Sequence, residues 1–395
     1  MYTQSAIILA AAFKSERTGF LLRGRLCPLM KVAIDVHSIG AQAGGNETFY
    51  RQLVQGLTED KSLNSYTLFY THANAPSLVK VDGRFKWVRI PHNPVIRISF
   101  ALPALLRELK PDVFHCQYIL PPRVNCKTVV TIHDLAHERY PQFSPRMEGV
   151  RMRKLVPRSA RRSDHIITVS EYSANDLVSF YGVPRSKITV AYQSPSPRFK
   201  PRDKATSQEQ LKTRYGINSP FLLYVGRLQA RKNLTRLAEA FARVRERHTD
   251  LKLVLVGKPD LHHEKLLAKV DELGLKQAVI FPGYIASEDL PVFYNAAETF
   301  VFPSIFEGFG LPVMESMASG VPTITSSGSC LEEIAADGAL LIDPLSVDSI
   351  ADAITRLVER PELRSALIER GLRRSACFST ATFAEKVLGV YRSLV

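Results

Sequence analysis

The chain has 395 residues, 45 % of them hydrophobic, and its formal net charge is +14 at pH 7. This length predicts two or three domains, each able to bury its own core. No apolar run in the sequence approaches the ~20 residues that span a bilayer, which argues against a transmembrane protein. The five cysteines are scattered and lack CxxC spacing, so the sequence favours a reducing cytoplasm over a disulfide framework or a zinc site.

Residues 1–29 differ from the rest of the chain. The segment AIILAAAF imitates the apolar core of a signal peptide, but no basic residue precedes it and no Ala-x-Ala cleavage site follows it. The segment KVAID directly after Met30 is typical of the N-terminus of an enzyme. We interpret residues 1–29 as an over-called start or a disordered leader.

Short apolar segments alternate with helical patterns between Met30 and residue 195. We predict strands at Val32–Val36, Thr67–Tyr70, Trp87–Ile90, Val113–His115, Thr128–Ile132 and His165–Val169. A helix that opens at residues 43–46 follows the first strand and places Phe49 and Leu53 on one face. Strands that alternate with helices predict a parallel sheet covered on both faces. We assign residues 30–195 to one doubly wound, Rossmann-like domain.

The same pattern restarts after a proline-rich linker at residues 193–201. We predict further strands at Phe221–Val225, Leu251–Val256, Val279–Phe281, Thr299–Phe302 and Val321–Thr325, with a helix from Asn233. Residues 196–378 are assigned to a second Rossmann-like domain, and residues 379–395 to a C-terminal helix. Two such domains in tandem face each other across a central cleft, and ligands of these sheets bind beyond the carboxyl ends of the strands. The predicted fold class is therefore α/β with two doubly wound domains.

The segment FVFPSIFEGFGLPVMESMASGVPTITS, residues 300–326, combines a strand, a glycine-containing loop, a short helix and a second strand. Pro312 and Gly320 frame the helix. The helix start presents free N–H groups and a positive dipole end, which suit a phosphate. Glu307 in the loop and Glu315 in the first turn supply acceptors for hydroxyl groups. Phosphate donors beside two carboxylates of this kind predict a sugar-nucleotide site.

Three more segments follow predicted strands and favour the same cleft. Arg227 and Lys232 come after the strand that ends at Val225, where a diphosphate could lie. The double glycine ending at Gly45 could approach a phosphate closely, although a simple tight turn explains it equally well. His133 directly follows the apolar segment VVTI, so its imidazole is expected to emerge at the cleft.

Several common motifs are missing from the sequence. There is no Asp-x-Asp pair, which commonly holds the metal of a sugar nucleotide, and no G-x-x-x-x-G-K-[ST] phosphate loop. The sequence also lacks H-E-x-x-H, G-x-S-x-G and a G-x-G-x-x-G after the first strand. We therefore expect arginine, lysine and helix termini, and no metal ion, to meet the charge of a diphosphate.

Basic residues are concentrated between Arg146 and Arg162. The run contains Arg146, Arg151, Arg153, Lys154, Arg158, Arg161 and Arg162, opposed only by Glu148. A solvated face explains such a run, and so does a surface that binds anionic lipid. Because the sequence has no nucleic-acid module, we expect no nucleic-acid partner. The expected location is the cytoplasm, with peripheral contact to the inner face of the membrane as the functional alternative.

The segment from Glu307 to Glu315, with YVGR at 224–227 and Lys232-Asn233, resembles the retaining glycosyltransferases of family 4, which have the GT-B fold. The similarity runs from about Lys31 to the C-terminus. It implies a metal-independent hexosyltransferase that needs no cofactor besides its nucleotide-sugar donor. The acceptor would be a glycan or lipid-linked sugar of a cell-surface polysaccharide or glycolipid. The segment TIHDL at 131–135 resembles mannosyltransferases especially, so GDP-mannose is the expected donor.

The resemblance also implies a role for each site residue. The N-terminal domain would bind the acceptor, and the final helix would cross back to it. Glu315 would bind the ribose hydroxyls and Glu307 a hydroxyl of the sugar, while Arg227 and Lys232 neutralise the diphosphate. His133 would face the donor sugar. The implied catalytic set is His133, Glu307, Arg227 and Lys232. The other implied donor-binding residues are Gly45 at the phosphate, Tyr284 and Ile285 beside the base, and Gly308, Phe309, Gly310 and Leu311 around the helix start.

One departure from the family pattern and three rival functions stay open. The departure is LEEI at residues 331–334, where many family members have a proline before the glutamate. A dinucleotide-dependent oxidoreductase would share the fold but should carry G-x-G-x-x-G. A non-catalytic nucleotide-sugar binding protein would not need His133 together with Glu307. A sugar phosphorylase of similar architecture would release sugar phosphate when given inorganic phosphate.

Overall fold

A computed structural model describes residues 20–22, 25–27, 29–42, 44–143, 146–260 and 263–395. Most of the predicted leader, residues 1–29, lies outside these ranges, and the hypothesis about it stays a prediction. Within it, β1 (Phe20–Leu22) and β2 (Arg25–Cys27) pair as a two-stranded antiparallel sheet. In the part of the chain described, no helix is both long and apolar enough to cross a membrane.

The N-terminal half forms a seven-stranded parallel sheet in the order β5-β4-β3-β6-β7-β8-β9. Its strands are β3 (Lys31–Asp35), β4 (Ser65–Tyr70), β5 (Phe85–Arg89), β6 (Val113–Gln117), β7 (Lys127–Thr131), β8 (His165–Thr168) and β9 (Ile188–Val190). Its helices are α1 (Gly45–Glu59), α2 (Ala75–Leu78), α3 (Pro94–Ile96), α4 (Leu102–Leu109), α5 (Ala136–Arg139), α6 (Arg146–Arg162) and α7 (Glu171–Tyr181). A π-helical turn, Arg97–Ala101, joins α3 to α4.

The C-terminal half forms a six-stranded parallel sheet in the order β12-β11-β10-β13-β14-β15. Its strands are β10 (Phe221–Val225), β11 (Lys252–Val256), β12 (Val279–Gly283), β13 (Thr299–Phe302), β14 (Thr323–Ser326) and β15 (Leu340–Ile342). The helices are α8 (Lys204–Tyr215), α9 (Leu234–Arg245), α10 (His263–Glu272), α11 (Leu290–Ala296), α12 (Leu311–Ala318), α13 (Cys330–Ala335), α14 (Val347–Glu359), α15 (Pro361–Ala376) and α16 (Thr380–Leu394).

Central strands of a parallel sheet are buried where helices cover both faces of the sheet. All residues of β10 and β13 are buried, for example. Both sheets have the parallel, helix-covered architecture that the alternating pattern indicates, so the predicted fold class is confirmed. The loops beyond the carboxyl ends of β6, β7, β10 and β13 meet at a shared cleft.

The last helix, α16, lies on the first domain. Its Phe383 packs edge-on against Phe49 of α1, with ring centroids 4.9 Å apart. Tyr391 brings its hydroxyl within 2.6 Å of His115 Nδ1 in the interior of that domain. Gly56 permits the close approach of the two helices, since an added Cβ there would lie 2.4 Å from the Cβ of Ala384. The C-terminal segment thus completes the core of the N-terminal domain.

Three details differ from the sequence expectations. The edge strands β9 and β15 have three residues each, too few for an apolar pattern to indicate them. Asn233 precedes α9 instead of starting it, and it adopts a left-handed conformation with φ of 64°. The predicted strand at 321–325 begins two residues later, at Thr323.

Candidate active site

A cavity of about 540 Å³ lies between the two domains, within the range typical of small-ligand sites. Ten of the predicted site residues line it, namely Gly45, His133, Arg227, Lys232, Glu307, Gly308, Phe309, Gly310, Leu311 and Glu315. Tyr284 and Ile285 are not among the lining residues. The Tyr284 side chain is exposed beside the ammonium group of Lys258, and Ile285 is buried.

Glu307 is the most heavily bonded acid of the cavity. It lies on the loop between β13 and α12 and is 8 % exposed. Its Oε1 accepts a 2.6 Å hydrogen bond from Ser304 and pairs with the Lys232 ammonium, while Oε2 lies 3.0 Å from Arg231 Nη1. Burial raises the pKa of Glu307, but the charges of Arg231 and Lys232 outweigh it and hold that pKa at about 2. The carboxylate is therefore ionised at any working pH.

Lys232 sits in the short turn that follows β10, and its side chain is almost fully buried. Its ammonium group lies 4.9 Å from the centre of the Phe302 ring. Burial, with the nearby charge of Arg231, lowers the pKa of Lys232 to about 8, against the opposing effect of Glu307. A buried cation of this kind suits the charge of a phosphate group entering the cavity.

Arg227 lies at the opposite, exposed side of the same loop and bridges the domains. Its Nη2 donates to the carbonyl oxygen of Gln42, 3.2 Å away in the N-terminal half. The side-chain oxygen of Gln42 also bonds the ammonium group of Lys258. Two cations of the second domain therefore converge on one residue of the first, at the mouth of the cavity.

The start of α12 faces the cavity because Gly310 turns the chain there. Gly310 has φ of +107°, and a Cβ at this position would lie 2.5 Å from the side chain of Leu331. One turn into the helix, Glu315 Oε2 accepts a 2.9 Å hydrogen bond from the Tyr294 hydroxyl. Burial raises the pKa of Glu315 to about 7. The two predicted glutamates thus differ sharply, with one firmly ionised and the other titrating near neutrality.

His133 enters the cavity from the N-terminal domain and is 5 % exposed. Its ring packs edge-on against Phe49 and contacts Tyr118. Burial lowers the pKa of His133 to about 3, so the imidazole is neutral. Among the residues described by the structure, its Nε2 has no hydrogen-bond partner. A buried polar atom without a partner, at the wall of a cavity, favours contact with a ligand.

Two contacts tie the Glu307 loop and α13 to the first domain. The Ser170 hydroxyl donates a 2.8 Å hydrogen bond to the carbonyl of Gly308. Glu333, in the segment that departs from the family pattern, lies in α13 and accepts from the backbone N–H groups of Glu171 and Tyr172 at 2.8 and 2.9 Å. It thereby caps the start of α7, so the carboxylate that sequence comparison left without a role joins the two domains.

Sequence reasoning missed several residues that line the cavity. These are Asn46, Thr48, Tyr118, Asp134, Val169, Gln193, Gly226, Gln229, Arg231 and Pro312. Arg231 had a detectable signal, since it is a cation next to Lys232 in a loop after a buried strand. Gln193 and Tyr118 had none, because only tertiary packing brings the linker and the end of β6 to the cleft.

Comparison with known proteins assigns the class of protein that this fold and site define. Residues 207–374 match the family described as glycosyl transferases group 1, and residues 43–193 match glycosyltransferase family 4. The chain is 30 % identical over 382 residues to O-antigen chain mannosyltransferase B of Escherichia coli, covering 92 % of this chain and 100 % of that protein. The protein is therefore a glycosyltransferase, and it belongs to family 4.

Two further similarities agree with this assignment. The serotype-specific mannosyltransferase WbdA of Escherichia coli is 27 % identical over 279 residues, which is 68 % of this chain and 34 % of that protein. The sucrose-phosphate synthase of Thermosynechococcus elongatus has the same fold, with a TM-score of 0.78, 24 % identity and coverage of 92 % of this chain and 99 % of that one. The fold is GT-B, as the resemblance implied, and the family assignment favours a transferase over the three rival functions.

Proposed function

We propose that the protein transfers mannose from GDP-mannose to a glycan acceptor of a cell-surface polysaccharide, with retention of configuration and without a metal ion. The observation that carries the proposal is the Glu307 carboxylate, which lies beside Lys232 and across the cleft from His133, whose Nε2 has no hydrogen-bond partner among the described residues. The similarity to an O-antigen mannosyltransferase extends over the whole of that protein. It supports mannose as the transferred sugar and a cell-surface polysaccharide as the product.

The proposed chemistry uses four residues, three of them charged. Lys232 and Arg227 would stabilise the diphosphate as it leaves, and preorganised donors of this kind are worth ~10²–10³ each in rate. Neutral His133 would offer its Nε2 to the donor sugar, and Glu307 would accept from a sugar hydroxyl. Both oxygens of Glu307 are already paired with cations, which argues against a nucleophilic role and supports same-face attack by the acceptor hydroxyl.

A thermal-shift screen tests the donor. GDP-, UDP- and ADP-sugars are compared, and a ligand at 100 times its dissociation constant should stabilise the protein by ~2.7 kcal/mol. GDP-mannose is expected to give the largest shift, and mass spectrometry of the acceptor should then detect an added hexose. A larger shift with a UDP- or ADP-sugar would overturn the choice of donor while leaving the enzyme class intact.

Activity is expected to persist in excess EDTA. The cations that would meet the diphosphate are protein side chains, Arg227 and Lys232, and both line the cavity. The sequence has no Asp-x-Asp pair to hold a metal beside them. Initial rates measured with and without EDTA should agree closely. If EDTA abolishes turnover and magnesium or manganese restores it, the proposal that Arg227 and Lys232 meet the diphosphate charge without a metal ion is wrong.

Replacing Glu315 with alanine should chiefly weaken donor binding. The proposed ribose contacts lie far from the reacting carbon and stay similar in the ground and transition states, so the Michaelis constant should rise by roughly 10–150-fold with little change in turnover. Because burial raises the pKa of Glu315 to about 7 and the ribose hydroxyls donate to the ionised form, wild-type affinity should fall as the pH drops below that value.

The matched control for this variant is Glu362→Ala, at an exposed position in the first turn of α15. It should leave both kinetic constants and their pH dependence unchanged. If Glu315→Ala abolishes turnover while binding the nucleotide sugar normally, the roles of Glu315 and Glu307 have been exchanged.

We also propose that α6 brings the protein to an anionic membrane surface where a lipid-linked acceptor lies. Six of its basic side chains are exposed, namely Arg151, Arg153, Lys154, Arg158, Arg161 and Arg162. Two large apolar side chains of α6 are also exposed, Met147 and Val150. So are Val95, Ile96 and Phe100 on the segment before α4, where the buried Arg97 interacts electrostatically with Arg151 of α6. Cations that surround exposed apolar side chains are typical of an interfacial surface.

Binding to liposomes should need anionic lipid and weaken with salt, because the attraction is screened. The triple replacement of Arg153, Lys154 and Arg158 by alanine should reduce co-sedimentation. Alanine at Arg360, Arg370 and Arg373, which are exposed on the second domain, removes the same charge and should not. Equal binding to neutral and anionic liposomes would contradict this proposal and show that the basic residues of α6 form only a solvated surface.

A further inference from the structure

Arg231 joins the two loops that supply the charges of the site, and the proposed function gives it no role. It shares the turn after β10 with Lys232. Its Nη1 lies 3.0 Å from Oε2 of Glu307 and donates a 2.8 Å hydrogen bond to the carbonyl of Phe306. Its own carbonyl accepts from the N–H of Ile305 at 2.9 Å. The side chain and the backbone of one residue thus anchor the Glu307 loop.

The two oxygens of Glu307 have different partners. Oε1 is shared by Lys232 and the Ser304 hydroxyl, whereas the cation at Oε2 is Arg231. Lys232 is also the cation that a diphosphate in the cavity would attract, and an ammonium group has only three N–H donors. A bound donor therefore competes with Glu307 for Lys232. The Ser304 hydroxyl and Arg231 then remain as partners of Glu307, and of these two only Arg231 is a cation.

A remaining partner matters because Glu307 is buried. A buried carboxylate that loses its cations takes up a proton, and a protonated carboxyl group accepts hydrogen bonds poorly. The two cations differ in how firmly they hold their charge. Burial lowers the pKa of Lys232 to about 8. Burial also acts to lower the pKa of Arg231, but Glu307 and Asp134 reverse this and raise it above its ordinary value.

We propose that Arg231 is a positioning residue that holds the Glu307 carboxylate in place for the donor sugar while Lys232 moves to the diphosphate. The inference rests on the proposed function, which assigns a sugar hydroxyl to Glu307 and the diphosphate to Lys232. Affinity for the sugar part of the donor then depends on Arg231, whereas affinity for the diphosphate part does not.

Calorimetry with GDP and GDP-mannose separates the two parts, and UDP with UDP-glucose is measured in parallel. The variants are Arg231→Gln, which removes the charge, and Arg231→Lys, which keeps it. Arg243→Gln, at an exposed position of α9 that pairs with Asp348, is the matched control. Arg231→Gln should bind GDP as the wild type does but bind GDP-mannose roughly 10–150-fold more weakly. Arg231→Lys should recover part of that loss, and Arg243→Gln should bind both compounds normally.

The pH dependence supplies a readout that a merely structural role would not change. The charged and titratable groups that face Glu307 are Arg231, Lys232, Tyr224 and Cys330. Without Arg231 the pKa of Glu307 rises, so the ratio of GDP-mannose affinity to GDP affinity should fall as the pH is lowered. The ratio is used because protonation of Glu315, the proposed ribose-binding carboxylate, weakens GDP and GDP-mannose equally. In the wild type the ratio should stay constant over the same range.

Other results overturn the inference or the proposed function separately. If Arg231→Gln loses affinity for GDP and GDP-mannose equally, Arg231 binds the phosphates, and the positioning role is wrong. The positioning role is also wrong if Arg231→Gln binds GDP-mannose as the wild type does, with an unchanged pH profile. A wild type that binds none of the four compounds overturns the proposed function first, and the inference with it. Melting temperatures of all variants identify any that fail to fold, and Arg231→Lys then decides the question.

Discussion

Replacing Lys232 with alanine is expected to lower turnover about 10²–10³-fold. The ammonium group is buried beside Glu307, and its charge matters more as the leaving diphosphate becomes more negative. Exposed Arg227 remains to bind the diphosphate in the ground state, so the Michaelis constant should change less than turnover. Steady-state kinetics with GDP-mannose and a saturating acceptor measure both constants.

Two companion variants sharpen this expectation. Lys265→Ala, at an exposed position of α10, removes the same type of side chain and should leave both constants unchanged. Glu307→Ala should lower turnover and weaken binding together, because it would hold the sugar whose anomeric carbon reacts. If Lys232→Ala keeps normal turnover and only its Michaelis constant rises, Lys232 binds the donor in the ground state but does not stabilise the transition state.

Replacing Gly308 with alanine is expected to cost about 10²-fold in turnover, although it adds a single methyl group. An added Cβ would lie 2.7 Å from the carbonyl oxygen of His133 and 3.1 Å from the Cβ of Asp134. Neither neighbour is a flexible chain end, so the Glu307 loop and the first domain must move apart. A displacement of about 1 Å at the reacting groups is enough for a loss of this size.

Gly389→Ala is the matched control for this variant. It lies in α16, where an added Cβ would meet nothing within 4 Å. The change should keep turnover and stabilise the helix by about 1 kcal/mol, since alanine is the better helix former. If Gly308→Ala keeps wild-type turnover, the contact between the loop and His133 does not set the catalytic geometry.

The elements that could be predicted from the sequence are those whose pattern is local. The strand at 221–225 was predicted with its observed bounds, because a strand covered on both faces is a continuous apolar run between polar segments. The apolar run of β15 is only three residues long, too short to distinguish a strand from a loop. His133 was expected at the cleft because it follows the end of β7, and the cavity includes it.

The contacts between the domains could not be predicted in the same way. Ser170 and Gly308 are hydrogen-bonded but lie 138 positions apart, and both are small residues with no chemical signal of their own. Tyr284 directly follows β12, but it is not among the residues that line the cavity and its side chain is 56 % exposed. Its expected place beside the base stays a prediction. A position at a strand end predicts the edge of the sheet but not the direction of the side chain.

The packing of α16 on α1 has a consequence for the order in which the protein is made. Phe49 and His115 leave the ribosome well before their partners Phe383 and Tyr391, which follow only after the strands of the second sheet. Val190, at the end of β9, and Tyr391 are 201 positions apart (391 − 190), a length that takes roughly 10 to 40 s to synthesise. For that time the first domain stays incomplete, with an apolar face of α1 uncovered. The core of the first domain is therefore completed only after the second sheet has been synthesised.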